Sequence, residues 1–114
     1  MIRPRHVFIS VHARAFEAQS DWWARLLGRP CDRRPMPGCR EWDLTKSVLF
    51  QVLDGEGPAT AVTLAVDDID HERARLSAVG IEVGPASPVR GFDTLRFVRF
   101  TDPEGNEVGL LDGH

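Results

Sequence analysis

A strand, a helix and a glycine stop occur twice in the same order along this chain, and that repetition leaves few folds open to it. Val7 to Val11, followed by an amphipathic stretch closing at Leu27-Gly28, parallels Val62 to Val66, followed by a second stretch closing at Val79-Gly80. A period of about 50 residues occurring twice points to internal duplication. Three short strand-like segments follow each helix. Neither half can cover its own apolar sheet face, so pairing the halves is the way to bury it. The expected fold class is α+β, built from two βαβββ modules. The expected organisation is a single domain over residues 1–114, with module one at about 5–54 and module two at about 60–112.

The local pattern supports each element. His6 to Val11 alternates and is rich in β-branched and aromatic residues, as a strand requires. From Ala15 to Leu27 the period changes: Ala15, Ala18, Trp22 and Leu26 recur at helical spacing, with Phe16, Trp23 and Leu27 widening the stripe. Gly28 supplies a left-handed cap and Pro30 blocks continuation. Strands are then expected around Pro30 to Arg34, Cys39 to Leu44 and Val48 to Leu53. A linker follows at Asp54-Gly55-Glu56-Gly57-Pro58. In the second half, Ala61 to Val66 reads as a strand. Asp68 reads as an N-cap, and Ile69, Leu76 and Val79 as the buried face of a helix ended by Gly80. Ile81 to Val83, Thr94 to Phe100 and Glu107 to Leu111 complete the strands, the last two joined by the turn Asp102-Pro103-Glu104-Gly105-Asn106.

Composition removes several function classes. With 42% hydrophobic residues, 27% charged residues and a net charge of -3, the chain is not of the disordered type. A pI near 5.7 provides no general attraction to nucleic acid. Arg29, Arg33, Arg34 and Arg40 cluster, but Asp32 and Glu41 interrupt them, as on a solvated strand face. No apolar run approaches the ~20 residues of a membrane span, and Met1 to His6 lacks the apolar core of a signal peptide. A cytoplasmic location is therefore expected. The two cysteines, Cys31 and Cys39, flank Pro35-Met36-Pro37-Gly38 and would lie near each other across a hairpin there. They are too few for a structural zinc site and read as reduced bystanders. No serine-nucleophile, phosphate-loop or dinucleotide motif is present.

Three segments carry a family resemblance. The opening His6-Val7-Phe8-Ile9-Ser10-Val11 leads into a helix with the aromatic pair Trp22-Trp23 and Leu27-Gly28. The middle is Val66-Asp67-Asp68-Ile69-Asp70, and the near-terminal hairpin is Phe100-Thr101-Asp102-Pro103-Glu104-Gly105-Asn106. Together, and in this order, they resemble the vicinal-oxygen-chelate superfamily, which includes glyoxalase I, extradiol dioxygenases and bleomycin-resistance proteins. The resemblance implies curled, half-open mixed sheets with helices on their outer faces, a cavity enclosed by two modules, and a homodimer.

It also implies four positions at which metal-using members hold a divalent ion, with His, Gln or Glu as donors. In the first strand the position falls on His6, and on the strand from Val48 to Leu53 the polar candidate is Gln51. The equivalent positions in module two fall on Ala61 and Gly109. A catalytic divalent site takes about three protein donors plus an open position. Here there is one imidazole and one neutral amide, so no metal and no other cofactor is expected. Glu107 shares a face with Gly109 but lies some 6–7 Å along the strand, and Glu41 could contribute from a neighbouring strand. A divalent metal held by such substitutes is the alternative.

Strand parity turns the same residues into a binding surface. Phe8 and Ser10 share a face with His6, Leu49 and Leu53 with Gln51, Thr63 and Ala65 with Ala61, and Glu107 and Leu111 with Gly109. Ala61, Ala65 and Gly109 leave room where metal-using members place bulk. Trp42 and Phe92 are candidates for the mouth, although ordinary core packing accounts for Trp42 equally well. His12 and His71 are read as lying at helix starts, outside the cavity. The ligand-binding residues expected are thus His6, Phe8, Ser10, Trp42, Gln51, Thr63, Phe92 and Glu107. The expected function is metal-free binding of an apolar or aromatic small molecule, with no nucleic-acid or membrane partner. The competing readings are a lyase, isomerase or dioxygenase using a rearranged metal or His6 as acid–base, and a structural partner domain whose cleft is filled by its own side chains.

Overall fold

A computed structural model describes residues 1–114. The chain divides into two compact units, residues 1–60 and 61–114. Unit one contains β1 (Val7–Ala13), α1 (Phe16–Leu27), β2 (Arg33–Met36), β3 (Cys39–Asp43) and β4 (Val48–Asp54). Its four strands form one sheet in the order β1-β4-β3-β2, with β1 parallel to β4 and the rest antiparallel. Unit two contains β5 (Ala61–Ala65), α2 (Ile69–Ala78), β6 (Ser87–Pro88), β7 (Arg96–Thr101) and β8 (Glu107–Asp112). It repeats the arrangement in the order β5-β8-β7-β6, again with a parallel first pair. No helix is long and apolar enough to cross a membrane.

Each helix stops for the same reason. Gly28 and Gly80 adopt left-handed φ angles of 81° and 84°. The next residue's N–H then folds back: Arg29 donates to the Ala24 carbonyl at 3.0 Å and Ile81 to the Leu76 carbonyl at 2.9 Å. At the other end of α2, the Asp68 carboxylate accepts from the N–H groups of Asp70 and His71. The α1 start has no such side-chain cap and depends on packing. Trp22, Trp23 and Leu26 are buried against the sheet, with Trp23 4.2 Å from Phe50 between ring centroids. Phe50 is fully buried, and truncating a ring in such a position typically costs about 3–5 kcal/mol.

Several boundaries differ from the sequence expectation. β1 runs two residues further, to Ala13, and so takes His12 into the strand. β2 begins at Arg33 rather than Pro30. The reversal that follows uses only Pro37-Gly38, which sets Met36 opposite Cys39. Cys31 therefore precedes the strand and is not across the turn from Cys39; both thiols are free. Ile81 and Val83 are buried but form no strand, and the sheet edge is instead the two-residue β6. Their side chains are buried while the backbone from Ile81 to Ala86 joins no ladder, and Pro85 within it has no N–H to donate to one. Val79, expected on the buried face of α2, is exposed, because the helix has ended there and its cap turns outward.

Candidate functional site

In sheet one the odd residues of β1 (Ile9, Val11, Ala13) and the even residues of β3 and β4 (Arg40, Trp42, Phe50, Val52) face α1. The Glu17 carboxylate on α1, which accepts two hydrogen bonds from Arg40, fixes that side. The other face carries Phe8, Ser10 and His12 on β1, Leu49, Gln51 and Leu53 on β4, and Cys39, Glu41 and Asp43 on β3. Trp42 thereby moves out of the candidate site. It pairs with Phe50 in register, is 1% exposed, and donates its indole N–H to the Arg29 carbonyl at 3.0 Å. It is a core residue.

One row of polar side chains crosses the open face. Register places Ser10 beside Gln51, Gln51 opposite Glu41, and Glu41 opposite Arg33. Ser10 Oγ donates to Gln51 Oε1 at 3.0 Å, and Gln51 Nε2 donates to Glu41 Oε2 at 2.5 Å. Arg33 then donates to Glu41 Oε1 at 3.3 Å and to Asp43 Oδ2 at 2.7 Å. Glu41 is only 7% exposed, and a buried carboxylate needs such partners on both oxygens. Arg33 is held above its ordinary value, first by Asp43 and then by Glu41. Asp32 is held below the usual carboxylate range, chiefly by the Asp43 N–H that it accepts at 2.6 Å, with Arg29 adding to the effect. Burial pushes the Cys39 thiol up, with the Glu41 charge contributing, which disfavours a reactive thiolate there.

His6 is exposed and precedes the first ladder pair, Val7 with Val48. His12 is the histidine that the strand carries onto the open face. A Cβ on Gly57 would fall 2.2 Å from the His12 Cδ2, so only glycine lets the segment after β4 pass across that ring. Phe8 is 54% exposed, a large apolar group on the same face as the polar row.

In sheet two the even residues of β8 face α2, as the Asp112 carboxylate accepting the Ile69 N–H at 2.7 Å demonstrates. Val62, Val98, Val108 and Leu110 are buried on that side. The open face therefore carries Ala61, Thr63 and Ala65 on β5, Glu107, Gly109 and Leu111 on β8, and Phe97, Arg99 and Thr101 on β7. The room expected at Gly109 is taken. A Cβ at that position would lie 3.0 Å from Phe97 Cε2 and 3.1 Å from Thr63 Oγ1. Arg99 stacks its guanidinium 4.7 Å from the Phe97 centroid and pairs through Nε with Glu107 Oε1 at 3.1 Å. Phe97 went unnoticed in the sequence. The signal was its parity with Arg99, opposite to Val98 on β7. Phe92 lies outside the strands, in the loop before β7, and is 58% exposed.

The pattern of the glyoxalase-like domain matches residues 6–111, almost the whole chain. The chain belongs to the glyoxalase-like domain family. The glyoxalase-like fold is shared with solved structures. A glyoxalase/bleomycin resistance protein from Catenulispora acidiphila superposes with a TM-score of 0.83 at 23% identity, over 96% of this chain and 98% of that one. An antibiotic binding protein from Streptomyces sp. CB03234 does so at 0.76 and 20% identity, over 100% of this chain and 98% of that one. A lactoylglutathione lyase from Agrobacterium tumefaciens matches at 0.74 and 15%, over 93% and 91%. At these identities the likeness establishes the fold. No curated protein matches the sequence.

The four positions at which the family resemblance places metal donors, His6, Gln51, Ala61 and Gly109, do not supply a divalent-ion donor set between them. On sheet two they are Ala61 and Gly109, neither with a donor side chain, and the Phe97 ring stands against Gly109. On sheet one the Gln51 amide already accepts from Ser10 and donates to Glu41. No cluster of three or more His, Cys, Asp or Glu side chains is arranged elsewhere to hold an ion.

Proposed function

We propose that this glyoxalase-like protein is a metal-free small-molecule-binding protein of the bleomycin-resistance type, taking an apolar or aromatic ligand on the open faces of its sheets. The observation that carries this reading is Phe97 filling the space beside Gly109, which puts an aromatic surface where an ion-binding carboxylate would have to stand. The open face of unit one carries, by itself, the exposed Phe8 ring and the directional polar groups of the Ser10–Gln51–Glu41–Arg33 row. A few placed polar groups on a largely apolar surface is the usual construction of a small-molecule site. The antibiotic binding protein among the structural neighbours is consistent with this use of the fold. His6, Phe8, Ser10, Gln51, Thr63, Phe92 and Glu107 remain the proposed contact residues, joined by Phe97 and Arg99, and the working form is a homodimer in the cytoplasm.

A thermal-shift screen against planar and polycyclic aromatic compounds tests the reading. Native-state binding at a hundredfold excess over Kd adds about 2.7 kcal/mol of stability. At least one aromatic compound is expected to raise the Tm in metal-free buffer. A panel that leaves the Tm unchanged, beside divalent ions that raise it, would favour the lyase, isomerase or dioxygenase alternative.

A further inference from the structure

We infer that the open face of unit two selects planar aromatic ligands bearing a carboxylate or similar oxyanion, with Arg99 as the anion-recognising group and Phe97 as the residue that positions it. This rests on the small-molecule reading above and names the ligand class. Four features of one face carry it. First, Ala61, Thr63 and Ala65 on β5 are all small, so the floor of the face along that strand is low, while the space over Gly109 is filled by Phe97. Second, Phe97 is the one large ring on that face, and its edge is seated against Gly109 and Thr63. Third, the Arg99 guanidinium lies over Phe97 at 4.7 Å, which fixes the plane of the fork. Fourth, Glu107 pairs with Arg99 through Nε at 3.1 Å while the Arg99 side chain is 66% exposed, so the guanidinium can be reached from solvent.

A guanidinium held by stacking on one face and by a carboxylate at Nε loses little freedom when it accepts a second anion. Its two Nη groups match the two oxygens of a carboxylate, and its exposed flat face stacks on an aromatic ring. One ligand that is both flat and anionic satisfies both surfaces together. Glu107 is the opposing charge on this face. Its pair with Arg99 is solvent-exposed, with side-chain exposures of 66% for Arg99 and 49% for Glu107, and pairs of that kind are weak competitors for a second anion. Gly109 makes the arrangement possible, because any Cβ there meets the Phe97 ring.

The test compares 2-naphthoate with its neutral amide, 2-naphthamide, by calorimetric titration of the intact protein. Wild type is expected to bind the acid roughly tenfold or more tightly than the amide, the ratio a charge-assisted bidentate contact provides. Arg99→Gln should abolish that ratio, weakening the acid far more than the amide, which loses only its stacking on the guanidinium. Gly109→Ala, checked for a native circular-dichroism spectrum and melt, should weaken both ligands by displacing Phe97. Equal affinity of wild type for acid and amide, or a preference that survives Arg99→Gln, would overturn the anion selectivity but leave small-molecule binding standing. Absence of binding by both probes, while other members of the aromatic panel bind, would likewise reject the ligand class. Absence of binding by the whole panel would remove the underlying reading as well.

Discussion

Single residues decide what the open faces can hold. Gln51 is informative because its amide has a donor side and an acceptor side, and both are used. Gln51→Glu would set a carboxylate 2.5 Å from Glu41 Oε2 in place of an N–H. Two carboxylates that close cannot both ionise without cost, so one carboxyl pKa rises above the ordinary value of about 4.3. The sign follows from linkage. Below the ordinary carboxyl value the variant keeps a shared proton and its stability, and that stability is lost as pH rises through the raised folded-state pKa. Urea melts at pH 4 and pH 7 are expected to show the variant close to wild type at the lower pH and destabilised by about 1–3 kcal/mol at the higher. Equal loss at both pH values would mean that the row is not wired as described. Gly57→Ala is a second residue-scale test. A Cβ 2.2 Å from the His12 ring must displace it, with an expected loss of about 1–3 kcal/mol in a denaturant melt and a perturbed His12 signal in the proton spectrum. Removing the ring as well, in His12→Ala/Gly57→Ala, should recover part of the loss.

At the scale of elements, much was legible in the chain and the remainder has identifiable causes. The α2 ends were readable because Asp68 and Gly80 act locally, through a side-chain cap and a left-handed turn. The parities of Phe8 with Ser10 and of Thr63 with Ala61 followed from strand alternation alone, whereas the shared face of Thr63 and Gly109 was an implication of the family resemblance. Trp42 did not, because Cys39 to Asp43 mixes polar and apolar residues on both faces. Only its register with Phe50, set by the neighbouring strand, assigns the side. Phe97 required the same kind of non-local information, namely that β7 lies next to β8. Ile81 to Val83 misled because burial and β-branching suit a strand, while the ladder itself is formed further on at Ser87.

The tie between α2 and sheet two is likewise non-local. The Asp112 carboxylate accepts from Arg96 at 2.6 and 3.0 Å and from the Ile69 N–H. The Arg96 side chain holds that carboxyl below the usual range, and the Ile69 N–H adds to it. A depressed folded-state pKa contributes stability that is present above the unfolded value of about 3.9 and is lost as pH falls through the folded one. Asp112→Asn is therefore expected to cost about 1–3 kcal/mol at pH 7, with the difference from wild type shrinking in melts taken progressively below pH 4. A constant difference down to pH 2 would contradict the assignment.

For the whole molecule, the duplicated βαβββ pattern was the most dependable signal, and the family match over residues 6–111 agrees with it. What the sequence could not convey was what fills the space at the position of a missing metal donor. Small residues at Ala61 and Gly109 suggested room, whereas a ring from the adjacent strand occupies it. The homodimer implied by the family resemblance predicts a sedimentation mass of twice the 12.7 kDa chain at micromolar concentration; a single-chain mass would contradict it. Metal stoichiometry bears most directly on how this molecule works. Protein purified without chelator, then incubated with nickel, zinc, manganese or iron and desalted, is to be assayed by elemental mass spectrometry. The expected content is well below one ion per chain for every metal, with an unchanged Tm. One tightly held ion per chain, removable by chelator with a drop in Tm, would contradict the account.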